Sequence, residues 1–361
     1  MLVKHRAISS KNLLLIIDGF KPGGSQQVYL LLISEYVKKF KNVTLVVLEA
    51  TESDLDLPEY ENFKVIFLDS KNILEPKTIF KLRVIFFYAK PSYIMASMFR
   101  SQVFSALAKP FFCKLLWIEQ NTYISRTSFQ WIVMKLLSRR CSKIINTSAE
   151  IYALSKNKIN KRKSFLIPNP INFLAMKEFS GPRKDDFVFI GRMVEQKNPL
   201  HAIQAFALFL GSDFTSNNQT RLHIVGDGNL LEAAKKLSID LGIEKFCFFH
   251  GSLPISDTLK LLYDSKTLIS CSAIEGFGLA RLEALAAGCC IVTTNTGGVK
   301  DNLSELGNLG VFISDGSITN LALLMKETFQ EKYWLKSSVE SRIKFTEKFN
   351  PETISNEWMS L

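Results

Sequence analysis

No stretch of this chain approaches the ~20 consecutive apolar residues that cross a bilayer. The early apolar run Leu13–Ile17 is too short for a secretory leader and reads as a first strand, so export is not expected. The six cysteines (113, 141, 247, 271, 289 and 290) show neither disulfide nor metal-ligand spacing. Buried free thiols in a reducing cytoplasm are the expectation. Four histidines (5, 201, 223 and 250) form no cluster, and there is no Asp-x-Asp motif, so no metal and no cofactor are expected. His223 and His250 lie in predicted strands and read as core or strand-end residues. The turn Val225-Gly-Asp-Gly-Asn229 lacks the third glycine of the dinucleotide fingerprint. Short repeats are also missing.

With 361 residues, 47% hydrophobic and 22% charged, the chain has material for two globular cores. Its charge is uneven. Residues 1–180 hold 27 Lys and Arg against 13 Asp and Glu, while the remainder holds 18 against 21. The basic half is aromatic-rich between Phe80 and Trp131, where Lys81, Arg83, Lys90, Arg100, Lys109, Lys114, Arg126, Lys135, Arg139 and Arg140 mingle with Phe86, Phe87, Tyr88, Phe99, Phe104, Phe111, Phe112 and Trp117. Two readings stand side by side. One is an anionic membrane surface as partner; the other is a solvated basic face over buried aromatics. Nucleic acid is not expected as a partner, since no nucleic-acid-binding motif accompanies the charge.

Strand and helix patterns alternate throughout, which predicts parallel sheets. In the first half, strands are read at Leu13–Asp18, Val43–Leu48, Lys64–Leu68, Tyr93–Ala96, Lys114–Ile118 and Ser142–Asn146, with helices at 26–40, 99–108 and 128–139. After a polar stretch, Lys177–Asp186, the same grammar restarts. Strands are read at Phe187–Ile190, Leu222–Val225, Lys245–His250, Thr267–Ser270 and Cys290–Thr293. The fold class is therefore α/β, with two similar halves and ligands at the carboxyl ends of the strands, in a cleft between the halves.

Four segments follow predicted strands. Gly23-Gly24 opens a helix and lets backbone approach a ligand, although an isolated Gly-Gly is more often a simple turn. Gly191-Arg-Met-Val-Glu-Gln-Lys197 puts Arg192 and Lys197 in one loop, as phosphate-gripping cations or as solvated surface charges. Gly226 stands in a tight turn. Finally, Glu275-Gly-Phe-Gly-Leu-Ala-Arg-Leu-Glu283 brackets a glycine turn and a helix start with two carboxylates eight residues apart. Free N–H groups at the start of such a helix favour phosphate, and the acids can accept hydrogen bonds from sugar or ribose hydroxyls. The unit suits a sugar nucleotide.

Taken together, these segments resemble the retaining, E-x7-E class of nucleotide-sugar glycosyltransferases with the GT-B fold (family 4-like, group 1). The resemblance is strongest over 187–310 and looser elsewhere, through Gly23-Gly24 and Pro168-Asn-Pro170. It implies two Rossmann-like parallel-sheet domains facing a cleft: residues 1–178 for the acceptor and 179–347 for the nucleotide-sugar, with a final helix, about 348–361, packing back on the first.

The resemblance also implies roles. Arg192 and Lys197 match the pair that neutralises the diphosphate, beside Gly191 and Gly226. Glu275 matches the acid that holds the donor sugar. Gly276, Phe277, Gly278 and Leu279 match the loop whose backbone faces that sugar and the phosphates. Glu283 matches the acid on the ribose, and Gly23 and Gly24 the N-terminal loop facing the diphosphate. Catalysis would rest on Glu275, Arg192 and Lys197, with retention and without metal; the two acids are not a general acid and nucleophile. Many relatives carry a first-domain histidine where this chain has Gln120, which makes Glu119, Gln120 and Asn121 the acceptor-side candidates.

The implied reaction is transfer of a hexose or N-acetylhexosamine from a UDP-sugar to a saccharide. The implied acceptor is a lipid-linked intermediate of lipopolysaccharide, O-antigen or capsule, at the inner face of the cytoplasmic membrane. The alternatives are a catalytically silent subunit that binds a partner transferase or membrane, and a sugar-nucleotide epimerase.

Overall fold

The structure, a computed structural model, describes residues 9–19, 24–49, 57–70, 72, 75–120, 126–171, 183–211, 220–297 and 303–360. The chain divides into two compact units. One runs to Pro170 and includes the segment from Pro351 onward; the other is Ile171–Asn350.

The first unit is built on β1 (Ser9–Ile17), α1 (Gly24–Tyr36), β2 (Phe40–Val47), β3 (Phe63–Phe67), α2 (Pro76–Ala89), β4 (Tyr93–Ser97), α3 (Phe99–Ala108), β5 (Lys114–Glu119), α4 (Ser128–Leu137), β6 (Lys143–Asn146), α5 (Ala149–Lys158) and β7 (Ser164–Leu166). Its seven strands form a parallel sheet in the order β3-β2-β1-β4-β5-β6-β7. Strands buried on both faces need apolar side chains on both, which is why Leu13–Ile17 is an unbroken apolar run. Leu14, Ile16, Val46, Ile94, Leu115 and Trp117 pack on one face with Leu82 and Phe86 of α2, Val103 and Phe104 of α3, and Met134 of α4.

Helix ends follow local chemistry. Thr127 and Gln130 form a reciprocal capping box at α4. Pro76 opens α2, and Lys90 closes it in a left-handed conformation, φ 43°. At the far end of β1, Asp18 accepts a hydrogen bond from the Ser101 amide (2.7 Å) and so caps α3.

The second unit contains β8 (Lys184–Ile190), α6 (Pro199–Leu210), β9 (Leu222–Val225), α7 (Leu231–Asp240), β10 (Cys247–Gly251), α8 (Ile255–Asp264), β11 (Ser265–Ser270), α9 (Leu279–Ala286), β12 (Cys290–Thr294), β13 (Val311–Ser314), α10 (Ile318–Glu327) and α11 (Lys336–Thr346). Its parallel sheet runs β10-β9-β8-β11-β12-β13. The order reverses between β8 and β11, and loops leaving adjacent strands there splay to opposite sides, which opens room for a ligand.

The last helix, α12 (Pro351–Ser360), belongs to the first unit. Trp358 is fully buried and donates its indole N–H to the Pro168 carbonyl, 3.3 Å away. Lys39, after α1, donates to Ser355 and Asn356. α2, α5 and β13 are elements that the sequence pattern alone does not mark.

Candidate functional site

The site is assembled at the carboxyl ends of β8, β9 and β11 in the second unit. Three loops meet there with no room for side chains. Gly191 donates to Val225 O and Gly226 to Gly251 O. A Cβ on Gly226, whose φ is +138°, would lie 1.9 Å from the Gly191 carbonyl, so backbone approaches backbone where only glycine fits.

Beyond Gly191 the loop is stitched to the β11–α9 loop. Ala273 N donates to Gln196 O (2.9 Å), and Gln196 Nε2 donates to Ile274 O (3.1 Å). This lacing carries Lys197 to Glu275, where Nζ meets Oε2 at 2.5 Å. The same oxygen accepts from Ser272 Oγ (2.9 Å) and faces Arg281 at 4.0 Å. One carboxylate oxygen is thus held from three sides, while Oε1 has no hydrogen-bond partner among the described residues and stays available.

Burial opposes the charge on Glu275. The pull of Lys197 and Arg281, with hydrogen bonds from Lys197 and Ser272, overcomes it and keeps the carboxyl below its ordinary range. Glu275 is therefore ionised at neutral pH, which suits an acceptor of hydroxyl hydrogen bonds rather than a proton donor.

Arg281 is the residue that the motif does not announce. It lies inside α9, fully buried, and donates from Nε to Ser270 Oγ (3.0 Å), from Nη1 to Thr296 O (2.7 Å) and from Nη2 to Thr296 Oγ1 (2.9 Å). It ties together the ends of β11 and β12 beneath Glu275. Gly297 follows: its φ is +62°, and a Cβ there would come 2.8 Å from the Glu275 carbonyl. The only sequence signal for Arg281 is a cation at an inward position of an otherwise apolar helix.

Gly278, φ +82°, turns the chain into α9. Phe277 is buried and packs edge-on against Phe349, centroids 6.0 Å apart, so this loop offers a ligand its backbone, not its ring. Gly276 and Leu279 flank it, half-buried.

Glu283, one helical turn further, is 5% exposed. Its carboxylate has no hydrogen bond or ion pair among the described residues, and burial pushes it up to about 7. A buried acid with no protein partner is costly unless something else hydrogen-bonds it.

The structure brings Lys197 and Glu275 into contact. Arg192 is exposed, its guanidinium 3.2 Å from Gln196 Oε1 in its own loop, and touches neither acid. A cavity of about 480 Å³ shares Ser272 and Thr296 with the network and extends past Asn198 and His201 to Asp315. Its walls contain none of the residues expected to bind the donor.

In the first unit, Gly24 starts α1 and is exposed, while Gly23 and Asn121 lie outside the described residues. Glu119 ends β5, 2% exposed and ion-paired with Arg126 at 3.0 Å. Gln120 is buried, its amide 3.3 Å from Asn169 Oδ1 and 3.4 Å from Ser97 Oγ. The two described acceptor-side candidates thus spend polar atoms on protein partners.

Residues 173–348 match the family model described as "Glycosyl transferases group 1". Among curated relatives, the chain is similar to the poly(glycerol-phosphate) alpha-glucosyltransferase of Bacillus subtilis, 28% identical over 171 residues, 47% of this chain and 24% of that one. It is similar also to the glycogen synthase of Mycobacterium tuberculosis, 27% identical over 188 residues, 51% of this chain and 43% of that one. The chain spans less than half the length of these relatives.

Among solved structures it is similar to Anabaena Alr3699/HepE in complex with UDP-glucose. The TM-score is 0.77 at 17% identity, covering 97% of this chain and 98% of that one. WaaG, a glycosyltransferase of lipopolysaccharide biosynthesis, gives 0.74 at 13%, covering 97% and 100%. At such identities the likeness establishes the fold, which is GT-B.

Proposed function

Because residues 173–348 belong to the group 1 glycosyl transferases, we propose that this chain is a retaining glycosyltransferase using a nucleotide-sugar donor, UDP-sugar first. The observation that carries the reading is the pair of acids in the second unit. Among the described residues, Glu275 is fixed through Oε2 with Oε1 free, and Glu283 is buried without a protein partner. Both are hydrogen-bond acceptors waiting for hydroxyl donors, with the N-terminus of α9 between them for the diphosphate. Sugar hydroxyls on Glu275 and ribose hydroxyls on Glu283 satisfy that arrangement.

In the reaction, the bond from the sugar C1 to the β-phosphate oxygen breaks and the sugar acquires oxocarbenium character. Arg192, Lys197 and the amides that open α9 stabilise the charge on the departing diphosphate. The acceptor hydroxyl bonds to C1 from the face the diphosphate leaves, and its proton passes to the diphosphate. Two side-chain cations take the part a metal ion would play, so transfer is expected to survive a chelator. Retention is supported by relatives named alpha-transferases, since a sugar linked α in its nucleotide keeps that configuration in an α product.

The acceptor is proposed to be a saccharide on a lipid-linked intermediate of bacterial surface polysaccharide, with the protein peripheral on the inner face of the cytoplasmic membrane. Relatives named for transfer to poly(glycerol-phosphate) and poly(ribitol-phosphate), and a structural neighbour named for lipopolysaccharide biosynthesis, support this. Among the described residues no helix is long and apolar enough to cross a membrane.

The test is a thermal-shift panel of UDP-, GDP- and ADP-sugars, followed by transfer with the best donor with and without chelator. A ligand that binds only the folded state raises the melting temperature. The expected result is a shift with one nucleotide family and an α-linked product. A shift without transfer to any acceptor would favour the silent subunit, and no shift at all would remove the donor assignment.

A further inference from the structure

We infer that the α2–α3–α4 layer of the first unit is a membrane-docking face, with the Phe111–Phe112 turn as its inserting wedge and an anionic lipid bilayer as its partner. Most aromatics of this region fall into two sets, with Phe99 and Trp131 half-buried between them. Phe86, Phe104 and Trp117 are fully buried in the core. Phe87 (72% exposed), Tyr88 (78%), Phe111 (100%) and Phe112 (73%) face solvent, joined by Phe80 on α2 and by Phe129, Ile132 and Leu136 on α4. In water, this many large apolar side chains on one layer of a domain is a liability unless a partner covers them.

The exposed residues are spaced as surface stripes. Phe80, Val84, Phe87 and Tyr88 follow one side of α2, and Phe129, Ile132 and Leu136 one side of α4. The helices that carry them share one face of the sheet, because Leu82, Phe104 and Met134 meet in the same core cluster. Their carboxyl ends converge on the aromatic turn. Arg140, after α4, donates to the Lys109 carbonyl at 2.9 Å, and Arg83 of α2 lies 3.5 Å from the Leu107 carbonyl of α3.

Charge chooses the partner. Between Pro76 and Ala149 the sequence has twelve Lys and Arg and a single acid, Glu119. That acid is buried and neutralised by Arg126. Arg83, Lys90, Lys114, Lys135, Arg139 and Arg140 are all exposed. Exposed cations on the same layer as protruding Phe and Tyr are the chemistry of the headgroup region: the aromatic rings enter the acyl boundary while Lys and Arg stay with anionic phosphates. A protein partner of matching shape would need an acidic rim around an apolar centre. A bilayer supplies both over an unlimited area and accepts the loose spacing seen here.

The inference gives the proposed lipid-linked acceptor its surface and rests on that reading for its purpose, but its test is separate. Full-length protein is centrifuged with phosphatidylglycerol/phosphatidylcholine vesicles and with pure phosphatidylcholine vesicles. Pelleting is expected with the anionic vesicles and to fall as salt rises. A Phe111→Ser/Phe112→Ser variant is expected to lose at least tenfold in vesicle binding, with its melting temperature and donor-induced thermal shift unchanged. Lys135→Gln/Arg139→Gln is expected to weaken binding and flatten its salt dependence.

Equal pelleting with neutral vesicles, no pelleting of the wild type, or a serine variant that binds as well as wild type would each overturn the inference. So would a wild-type dimer, without vesicle binding, that the serine variant dissolves, since the face would then join two copies of the chain. Because the donor shift is read without vesicles, failure of the docking face and failure of the donor assignment are told apart.

Discussion

The two units place charged groups at the carboxyl ends of their strands in opposite states. In the second unit, Glu275 keeps one oxygen free and Glu283 has no protein partner among the described residues. In the first, Glu119 is clasped by Arg126, Gln120 by Asn169, and Asp18 by Ser101. A buried carboxylate that keeps an oxygen open can accept from a ligand, whereas one held at both oxygens by protein groups serves the scaffold first. That contrast supports the proposal that the second unit recognises the donor, and on the same ground the Glu119 neighbourhood of the first unit is proposed to be a structural clasp.

The clasp gives the largest expected effect. Arg126 holds Glu119 through both carboxylate oxygens, reaches Gln102, and lies against the rings of Phe99 and Trp131 at 5.8 and 5.3 Å. Arg126→Ala strands a buried carboxylate, and breaking such a pair costs about 3–5 kcal/mol. Chemical denaturation should show that loss, while the donor-induced thermal shift, read at a temperature where the variant is folded, stays as in wild type. A stable Arg126→Ala protein that has lost acceptor affinity alone would break the comparison and return Glu119 to the acceptor site.

The second unit predicts the converse. Glu275→Ala removes a group that faces the ligand, so transfer should fall by about 10²–10³, which is the scale of losing one aligned electrostatic contact. Folding should change far less, because Lys197 is left at a partly exposed position where water can solvate it. Arg281→Lys sharpens the point. Lysine keeps a charge but cannot make the three hydrogen bonds to Ser270 and Thr296, so the variant should lose turnover and stability together. If Glu275→Ala transfers sugar at the wild-type rate, the site assignment fails.

How much of this is legible in the sequence follows from the range of the interactions. Most strands of both sheets are readable because double burial forces continuous apolar runs, and Leu222–Val225 is read to the residue. α2 escapes because exposed Phe80, Phe87 and Tyr88 add to buried Leu82 and Phe86, so apolar residues ring the helix and erase its period. The same exposure is what marks the docking face. In the site, the two glutamates and Lys197 are visible as a motif with its upstream loop. The lacing by Gln196 and the brace by Arg281 are contacts across 78 and 15 residues, which no local pattern records. Glu119 and Gln120 are visible as polar residues at a strand end, but whether they face a ligand or a neighbour depends on Arg126 and Asn169, brought in by the fold.

The smallest effect is the most specific, because it turns on one proton. Burial lifts Glu283 from an ordinary 4.5 to about 7. The folded protein therefore binds a proton that the unfolded chain releases between pH 4.5 and 7, and the melting temperature of the free protein should drift down as pH rises through that window. Donor affinity should move the other way. Ribose hydroxyls donate to the carboxylate and favour its charged form, so binding expels the proton and the affinity rises toward pH 7, by up to about tenfold per pH unit. Glu283→Gln should flatten both slopes, with a neutral amide already in place. Calorimetric titrations of the donor at pH 6 and 8 read the effect directly. An affinity slope that persists in Glu283→Gln would place the titrating group elsewhere and leave Glu283 as buried scaffold, like Glu119.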